Sequence, residues 1–261
     1  MSTVIYLEAP APNLGDYIYS YTYRHILIDD SCETVKKIMP PNHLVSLDFF
    51  FEHPFKLKSI QTGLTIPFKP VSIRGCRTKC KYELEFKQSF ATFSIKFTPN
   101  GLYKLLGLDM STLTNEDIAC TQLNLPIDLL QLHHELSHCT SQEERISLVE
   151  SCFLKVLLEH NFESRLIYNV HSFQENDALI YYVSTRQQQR LFKKEIGLSP
   201  KSYQNLQRFS SLLKAKKRNV DDSWTSLAHQ FGYFDQSHLI KDFYAFLGIK
   251  PSQFNIEAYA I

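Results

Sequence analysis

The fold of this chain is decided by residues 226–254, which read SLAHQFGYFDQSHLIKDFYAFLGIKPSQF. Ser223 and Asp235 are preferred N-cap residues, so the pattern predicts that a short helix begins after each of them. Gly232 permits a tight turn between the two helices, and Gly248 predicts the end of the second one. A short helix, a tight turn and a second helix are typical of a helix-turn-helix unit.

The same layout occurs once more, in residues 184–209, which read STRQQQRLFKKEIGLSPKSYQNLQRF. Ser184 predicts the cap of a helix that runs through Glu195, because Gly197 stands just past its end. Ser199-Pro200 predicts the start of the next helix, with proline at its first position. The apolar side chains of this helix, which is expected to join the two units, recur at helical spacing at Tyr203, Leu206, Phe209 and Leu213.

Charge is distributed unevenly along the chain. Residues 1–175 hold 16 Lys or Arg and 20 Asp or Glu, whereas residues 176–261 hold 12 and 7. Within residues 184–219 there are ten basic side chains and one acidic side chain, Glu195. A basic block of this kind is expected of a protein that binds a polyanion such as nucleic acid. A solvated basic helix face is the open alternative.

These two stretches resemble the DNA-binding domain of AraC/XylS-family transcriptional regulators. The resemblance covers roughly residues 165–255. In the second unit the matching positions are Leu227-Ala228, Gly232-Tyr233, Asp235-Gln236-Ser237-His238, Phe243, Gly248, Pro251 and Phe254. The first unit departs from the family pattern at Asp177, Tyr182 and Gln188.

The resemblance implies a sequence-specific regulator of transcription that binds double-stranded promoter or operator DNA. It implies that the protein has no enzymatic activity and no cofactor. It also implies a cytoplasmic protein that is associated with the nucleoid. The family's N-terminal domains sense a small-molecule effector or mediate dimerisation, so an effector and a homodimer are both expected partners. A DNA-binding protein without any effector remains an alternative.

Candidate DNA contacts follow from the resemblance and from the chemistry of the side chains. Arginine can bond guanine with two hydrogen bonds, and glutamine can do the same with adenine. Base-reading positions fall on Arg186, Gln187, Gln189 and Arg190 in the first unit and on Gln236, Ser237 and Lys241 in the second. The wider set of expected contacts adds Thr185, Lys193, Lys194 and His238. For His238 a packing role or a backbone hydrogen bond is the alternative.

The first hundred residues predict β-structure. The stretches KYELEFK and FSIKF alternate, and they place on one face of each strand Tyr82, Leu84 and Phe86, and Phe93, Ile95 and Phe97. Together with turn signals, they predict an antiparallel sheet or barrel closed by a short helix near residues 100–106. Its aromatic side chains could line an apolar effector pocket or pack as core, and the sequence assigns no ligand-binding residue.

Helical periodicity replaces the strand pattern after about residue 126. One helix is expected near residues 127–138, and Ser141 with Glu144 forms a capping box that begins another. The apolar stripe of the second helix predicts core packing, with a dimer seam as the alternative; it consists of Ile146, Val149, Phe153, Val156 and Leu157.

The fold class is therefore predicted as α+β. Residues 1–162 are expected to form a mainly β domain with trailing helices, for effector sensing, dimerisation or both. Residues 163–261 are expected to form an all-α DNA-binding domain in which a linker helix joins two helix-turn-helix units.

A zinc-peptidase motif supplies the one enzymatic alternative. His134-Glu135-x-x-His138 fits H-E-x-x-H, in which two histidines bind zinc and the glutamate acts as general base. Such enzymes need a third protein ligand, and the metzincin continuation would place Gly and His where Ser141 and Glu144 stand. Leucines 129, 132 and 136 form one helical stripe, so both histidines are expected to point into solvent. We therefore predict no metal site.

The cysteines and the apolar segments indicate an intracellular protein. The six cysteines, at positions 32, 76, 80, 120, 139 and 152, match neither a secreted disulfide framework nor a zinc finger. They are expected to be reduced and mostly buried. No apolar run approaches the length of a membrane helix, and the N-terminus lacks the features of a signal peptide. No membrane partner is expected.

Overall fold

The computed structural model describes residues 2–28, 34–160, 162–164, 167–168, 178–179 and 184–260. The family departures at Asp177 and Tyr182 lie outside these residues. Two antiparallel sheets with trailing helices form the N-terminal domain, and the C-terminal region is helical. The α+β fold class predicted from the sequence is confirmed.

The larger sheet has six antiparallel strands in the order β1-β2-β9-β4-β7-β10. Their bounds are β1 Ser2–Glu8, β2 Ile18–Leu27, β4 Ser46–Glu52, β7 Val71–Arg74, β9 Phe90–Phe97 and β10 Asp117–Ala119. Phe93, Ile95 and Phe97 of β9 are buried on one face, as the alternating pattern predicted. The opposite face of β9 carries Thr92, Ser94 and Lys96 into a cavity, because successive side chains of a strand alternate.

The smaller sheet has four antiparallel strands in the order β3-β8-β5-β6. Their bounds are β3 Val35–Ile38, β5 Lys56–Ser59, β6 Thr65–Ile66 and β8 Tyr82–Phe86. An aromatic cluster packs between the two sheets, and it includes Phe50, Phe55, Tyr82, Phe86 and Phe90. The strand predicted over KYELEFK is confirmed, with Tyr82 and Phe86 buried. Two short strands, β11 Ile167–Tyr168 and β12 Ala178–Leu179, pair with each other, so residues 163–261, predicted as all-α, hold one short strand pair beside their helices.

The described part of the N-terminal domain holds three α-helices: α1 Gly101–Leu106, which lies between β9 and β10 in the chain, and α2 Leu129–His138 and α3 Gln142–Glu159, which follow the sheets. The predicted capping box is confirmed, because Ser141 accepts from the Glu144 backbone N–H and the Glu144 carboxylate accepts from the Ser141 N–H. Val149, Phe153 and Val156 of α3 are buried in the core against the larger sheet, which confirms core packing for this stripe.

Four α-helices lie in the described part of the C-terminal region: α4 Thr185–Ile196, α5 Pro200–Arg218, α6 Trp224–Gln230 and α7 Gln236–Leu247. Ser184, Ser199, Ser223 and Asp235 each cap one of these helices through a side-chain oxygen, which confirms the four predicted starts. None of the helices in the described part of the chain is long and apolar enough to cross a membrane.

Hydrophobic packing joins the two predicted domains. Phe192 and Ile196 of α4, with Tyr203 and Leu206 of α5, belong to the same buried cluster as the larger sheet and α1–α3. The second half of α5 forms a separate small core with α6 and α7. The first helix-turn-helix unit therefore shares its core with the N-terminal domain, whereas the second unit has its own.

Candidate nucleic-acid interface and an adjoining cavity

The second helix-turn-helix unit is built around the turn between α6 and α7. Gly232 adopts φ +70, a left-handed conformation that glycine takes without steric cost. Ala228 is buried, and its carbonyl accepts from the Tyr233 N–H at 2.9 Å, which closes the turn. Phe243 is fully buried with its ring 4.9 Å from that of Trp224. The aromatic core predicted for this unit is confirmed and holds α7 in a fixed orientation.

Arg208 of α5 connects the linker helix to α7. Its guanidinium lies 4.5 Å from the Tyr233 ring centroid and donates to Asp242 at 3.5 Å. It also lies 3.1 Å from His238 Nε2. Tyr233 donates its hydroxyl to Asp242 at 3.0 Å, and burial together with this carboxylate raises the Tyr233 pKa. His238 is half-buried in this network. Its surroundings therefore suit a packing role, the alternative to DNA contact that was predicted from the sequence.

The outer face of α7 is exposed at the positions expected to read bases. Gln236, Ser237 and Lys241 are all exposed. Gln236 donates its amide to Thr225 Oγ1 at 2.7 Å, which links the start of α7 to α6. Among these three side chains Lys241 brings the positive charge.

In the first unit the outer face of α4 is exposed and basic. Arg186, Gln187, Gln189, Arg190, Lys193 and Lys194 are all exposed, as predicted. Gln187 completes a capping box, because its Oε1 accepts from the Ser184 N–H at 3.1 Å. The amide nitrogen of Gln187 is left as a donor at the helix N-terminus. Of the Thr185 side chain nothing is described.

The inner face of α4 is docked on the N-terminal domain. Glu195 is 1% exposed, and its carboxylate accepts from Asn100 and Ser164. The only acidic residue of the basic stretch is therefore withdrawn from the surface. Lys194, one of the expected DNA contacts, lies 5.4 Å from the ring centroid of Tyr103 in α1.

Gly197 ends α4 in close contact with the N-terminal domain. Its φ is +96, and its carbonyl accepts from Thr114 Oγ1 at 2.8 Å. A Cβ atom at this position would lie 2.6 Å from Thr114 Oγ1 and 2.7 Å from the carbonyl oxygen of Met110. Glycine is therefore required both for the turn and for the approach of α4 to the N-terminal domain.

A cavity of about 520 Å³ lies between the two sheets and α5, within the range of small-molecule sites. Its apolar part is lined by Met39, Phe50, Phe55, Phe86 and Phe90. Its polar part carries two carboxylates, Asp48 and Glu257, and seven cationic side chains: Arg24, Lys37, Arg74, Arg77, Lys96, Lys214 and Lys217. The cavity lining thus combines phenylalanine rings with an excess of positive charge.

The cavity cations differ in the ion pairs that they form with the described residues. Arg74 pairs with Asp48 and Asp117 at 3.5 and 3.2 Å, and Lys37 pairs with Glu257. Among the described residues, no carboxylate lies within ion-pair distance of Arg24, Lys96 or Lys214. Burial, reinforced by the neighbouring Lys96, lowers the pKa of Lys214 to about 8. Burial and Arg24 likewise lower the pKa of Lys96.

Family models match two parts of the chain. A helix-turn-helix domain model matches residues 178–255, and a domain of unknown function (DUF6597) matches residues 8–119. The chain carries an AraC-type helix-turn-helix domain. The resemblance found in the sequence is confirmed at the level of this domain, and an AraC-type helix-turn-helix domain is a DNA-binding module of transcription regulation.

Among solved structures, the chain is similar to ToxT from Vibrio cholerae, with TM-score 0.44 and 11% identity over 100% of both chains. A second ToxT structure contains an unsaturated fatty acid (TM-score 0.43, 12% identity, 100% of this chain and 96% of that one). A third contains (E)-4-(8-methylnaphthalen-1-yl)but-3-enoic acid (TM-score 0.40, 12% identity, 97% and 98%). No curated protein matches the chain.

The zinc-peptidase motif lies on an exposed face of α2. Leu129, Leu132 and Leu136 are buried, whereas His134 and His138 are exposed with ring centroids 4.7 Å apart. This confirms the predicted orientation. Within the described residues no group of three or more His, Cys, Asp or Glu side chains is placed to hold a metal ion. All five described cysteines are free; Cys76 and Cys120 are buried and the other three half-buried.

The sequence reasoning missed the cavity cations. Arg24 and Lys96 lie on adjacent strands, β2 and β9, and Lys214 lies on α5. One signal was available: Lys96 alternates with the buried Ile95 and Phe97, so its side chain had to lie on the opposite face of β9. Only the tertiary structure shows that this face of β9 lies opposite the second sheet and α5.

Proposed function

We propose that the regulator binds promoter or operator DNA by inserting α4 and α7 into successive major grooves on one side of the duplex. The observation that carries this proposal is that two exposed polar helix faces are joined by one continuous helix, α5. Its 19 residues span about 28 Å, compared with about 34 Å between successive major-groove faces. The width of the two units adds to this length, and bending of the DNA can supply the remainder.

Base reading is assigned to the exposed side chains in the first turns of each recognition helix. In α4 these are Arg186, Gln187, Gln189 and Arg190, and in α7 they are Gln236, Ser237 and Lys241. Thr185, Lys193 and Lys194 are proposed as further contacts, and lysines at such positions bind phosphate. His238 is proposed to act through its contact with Arg208, which supports the start of α7.

Footprinting tests the two-groove proposal. The full chain first selects its binding site from a random duplex pool. Arg190→Ala should then lose protection and sequence preference in one groove segment, and Lys241→Ala in the other, each costing roughly 1–3 kcal/mol. Affinity should also fall as salt rises, because phosphate contacts release counterions. Loss of protection over the same base pairs in both variants would contradict the proposal.

We further propose that the cavity holds the effector and that the effector is an amphipathic anion. Arg24, Lys96 and Lys214, which have no ion pair with a described residue, suit a carboxylate or similar head group, and the phenylalanine rings suit an apolar tail. Lys214 lies on α5, which also carries parts of both helix-turn-helix units. An anion bound between Lys96 and Lys214 would therefore stabilise the contact of α5 with the sheet and bias the positions of α4 and α7.

Matched ligands test this effector class. Dodecanoate should raise the melting temperature of the full chain, whereas dodecanol, which lacks the charge, and acetate, which lacks the tail, should do so much less. The Kd for the selected DNA should change with dodecanoate as well. If none of the three ligands affects melting or DNA binding, a regulator without an effector is the better description.

The proposed division of labour follows the predicted boundary, with effector binding and self-association in residues 1–162 and DNA binding in residues 163–261. A homodimer is supported by β1, the edge strand of the larger sheet, whose apolar side chains are exposed: Val4, Ile5, Tyr6 and Leu7. Exposed edges of this kind pair readily with a second copy. Antiparallel pairing of two β1 strands would bury on the order of 1,000 Å² in total, near the lower limit for a specific interface.

Light scattering tests the dimer. Ile5→Lys should shift the full chain toward monomer, because it places a charge on the paired edge. Leu158→Lys is the matched control, since Leu158 is exposed on α3, far from the edge strand in the sequence. A monomeric wild-type chain, or a dimer indifferent to Ile5→Lys, would contradict the β1 interface.

A further inference from the structure

Phe234 is the most exposed of the large apolar side chains in the described part of the chain, with 94% of its surface accessible. An isolated surface leucine or valine is ordinary, but a fully solvated phenylalanine is unusual because its ring is large and wholly apolar. The described structure gives this ring no aromatic or cation–π partner. Its position in the fold decides what it can contact.

Phe234 stands in the turn that leads into the second recognition helix. Tyr233 before it points inward and is 5% exposed, and Asp235 after it caps α7 through the His238 N–H at 2.7 Å. Both neighbours are thus fixed by the fold, and the turn holds the Phe234 ring outside the core. The next two residues, Gln236 and Ser237, are exposed base-reading candidates at the first turn of α7.

The chemistry of the major groove offers an apolar partner at this place. In helix-turn-helix proteins the N-terminal residues of the recognition helix contact base edges. Thymine carries a C5-methyl group on its major-groove edge, and apolar side chains, phenylalanine among them, recognise it by contact. A polar side chain such as Gln236 cannot replace this contact, because the methyl group forms no hydrogen bond.

We propose that Phe234 is a specificity-determining residue that packs on a thymine methyl group in the DNA segment read by α7. This inference rests on the proposed insertion of α7 into the major groove. It assigns to the second unit an apolar contact beside the polar contacts of Gln236, Ser237 and Lys241. DNA selected by the full chain should therefore contain an invariant thymine in the α7 segment.

A double-mutant cycle on protein and DNA tests the contact. Each thymine of the selected duplex is replaced in turn by uracil, which removes only the methyl group. At one position in the α7 segment this should weaken wild-type binding about fourfold, the effect of one buried methyl. Phe234→Ala should weaken binding to the thymine duplex about tenfold and should be insensitive to uracil at that position. Phe234→Leu, which keeps an apolar side chain, should retain part of the sensitivity.

Leu158→Ala is the matched protein control, because Leu158 is also highly exposed but lies on α3. It should leave DNA binding unchanged, and all three variants should melt like the wild type. The inference is overturned if no thymine is invariant, if Phe234→Ala binds like the wild type, or if it weakens binding equally whichever thymine is replaced. It is also overturned if Phe234→Ala reduces transcription but leaves DNA binding unchanged, which would indicate that Phe234 contacts a protein partner. A wild-type chain that selects no DNA would refute the proposed function itself.

Discussion

Lys214→Met should stabilise the protein in the absence of ligand. The substitution keeps a long, unbranched side chain of similar shape and removes a charge that is buried near Lys96. The pKa of Lys214 is lowered from 10.5 to about 8, mainly by burial and further by Lys96. One pKa unit corresponds to 1.36 kcal/mol, so the charged form costs about 3 kcal/mol at most. We expect a gain of roughly 1–3 kcal/mol in the free energy of unfolding near neutral pH.

The pH dependence identifies the cause. Below about pH 8 Lys214 is charged in both the folded and the unfolded chain, so the wild type bears the full free-energy cost of burying the charge. The difference in the free energy of unfolding between Lys214→Met and the wild type is then at its largest. As pH rises from 8 toward 10.5, the folded state loses this proton before the unfolded state does, and the wild type gains stability. The advantage of Lys214→Met should therefore shrink over this interval and vanish above it.

Urea unfolding followed by circular dichroism, at neutral pH and near pH 10, measures both effects. Lys201→Met is the matched control, because Lys201 is exposed on the same helix. In the variant, dodecanoate should no longer raise the melting temperature. A loss of stability in Lys214→Met, or a gain that is equal at both pH values, would show that the Lys214 charge is compensated. The argument for an anion site would then fail.

Three further predictions concern stability and metal binding. Gly197→Ala should lower the melting temperature by several degrees more than Gly63→Ala; both glycines have positive φ, but only at Gly197 would the new Cβ meet neighbouring atoms. Equal effects would mean that α4 is not held by the Thr114 contact. Arg208→Met should cost about 2–3 kcal/mol in urea unfolding, because it leaves Asp242 buried without its cation, and Asp242→Asn in the same background should recover part of the loss. Zinc should not raise the melting temperature of the wild type, because no metal-binding group is found among the described residues. A rise that His138→Ala abolishes would contradict the prediction that the exposed His134 and His138 bind no metal.

The helix boundaries of the C-terminal region could be predicted because they depend on local chemistry. A serine or aspartate that caps a helix, and a glycine that ends one, act within a few residues of the chain. Ser184, Ser223 and Asp235 therefore predicted their helices correctly, and Gly197 and Gly248 predicted two of the ends. The outward orientation of Arg190 and Lys241 followed from helical periodicity by the same reasoning.

The amino-acid sequence by itself determined the fold class, the strands with clear alternation, the helices and the exposed basic face. Only the tertiary structure decided that Phe192 and Ile196 of α4 are buried against the N-terminal domain, since their apolar character shows that they are buried but not by what. It alone brought Arg24, Lys96 and Lys214 to one cavity, because these residues are far apart in the sequence and meet only where β2, β9 and α5 come together. Local interactions fix elements, whereas a binding cavity is a property of how distant elements pack.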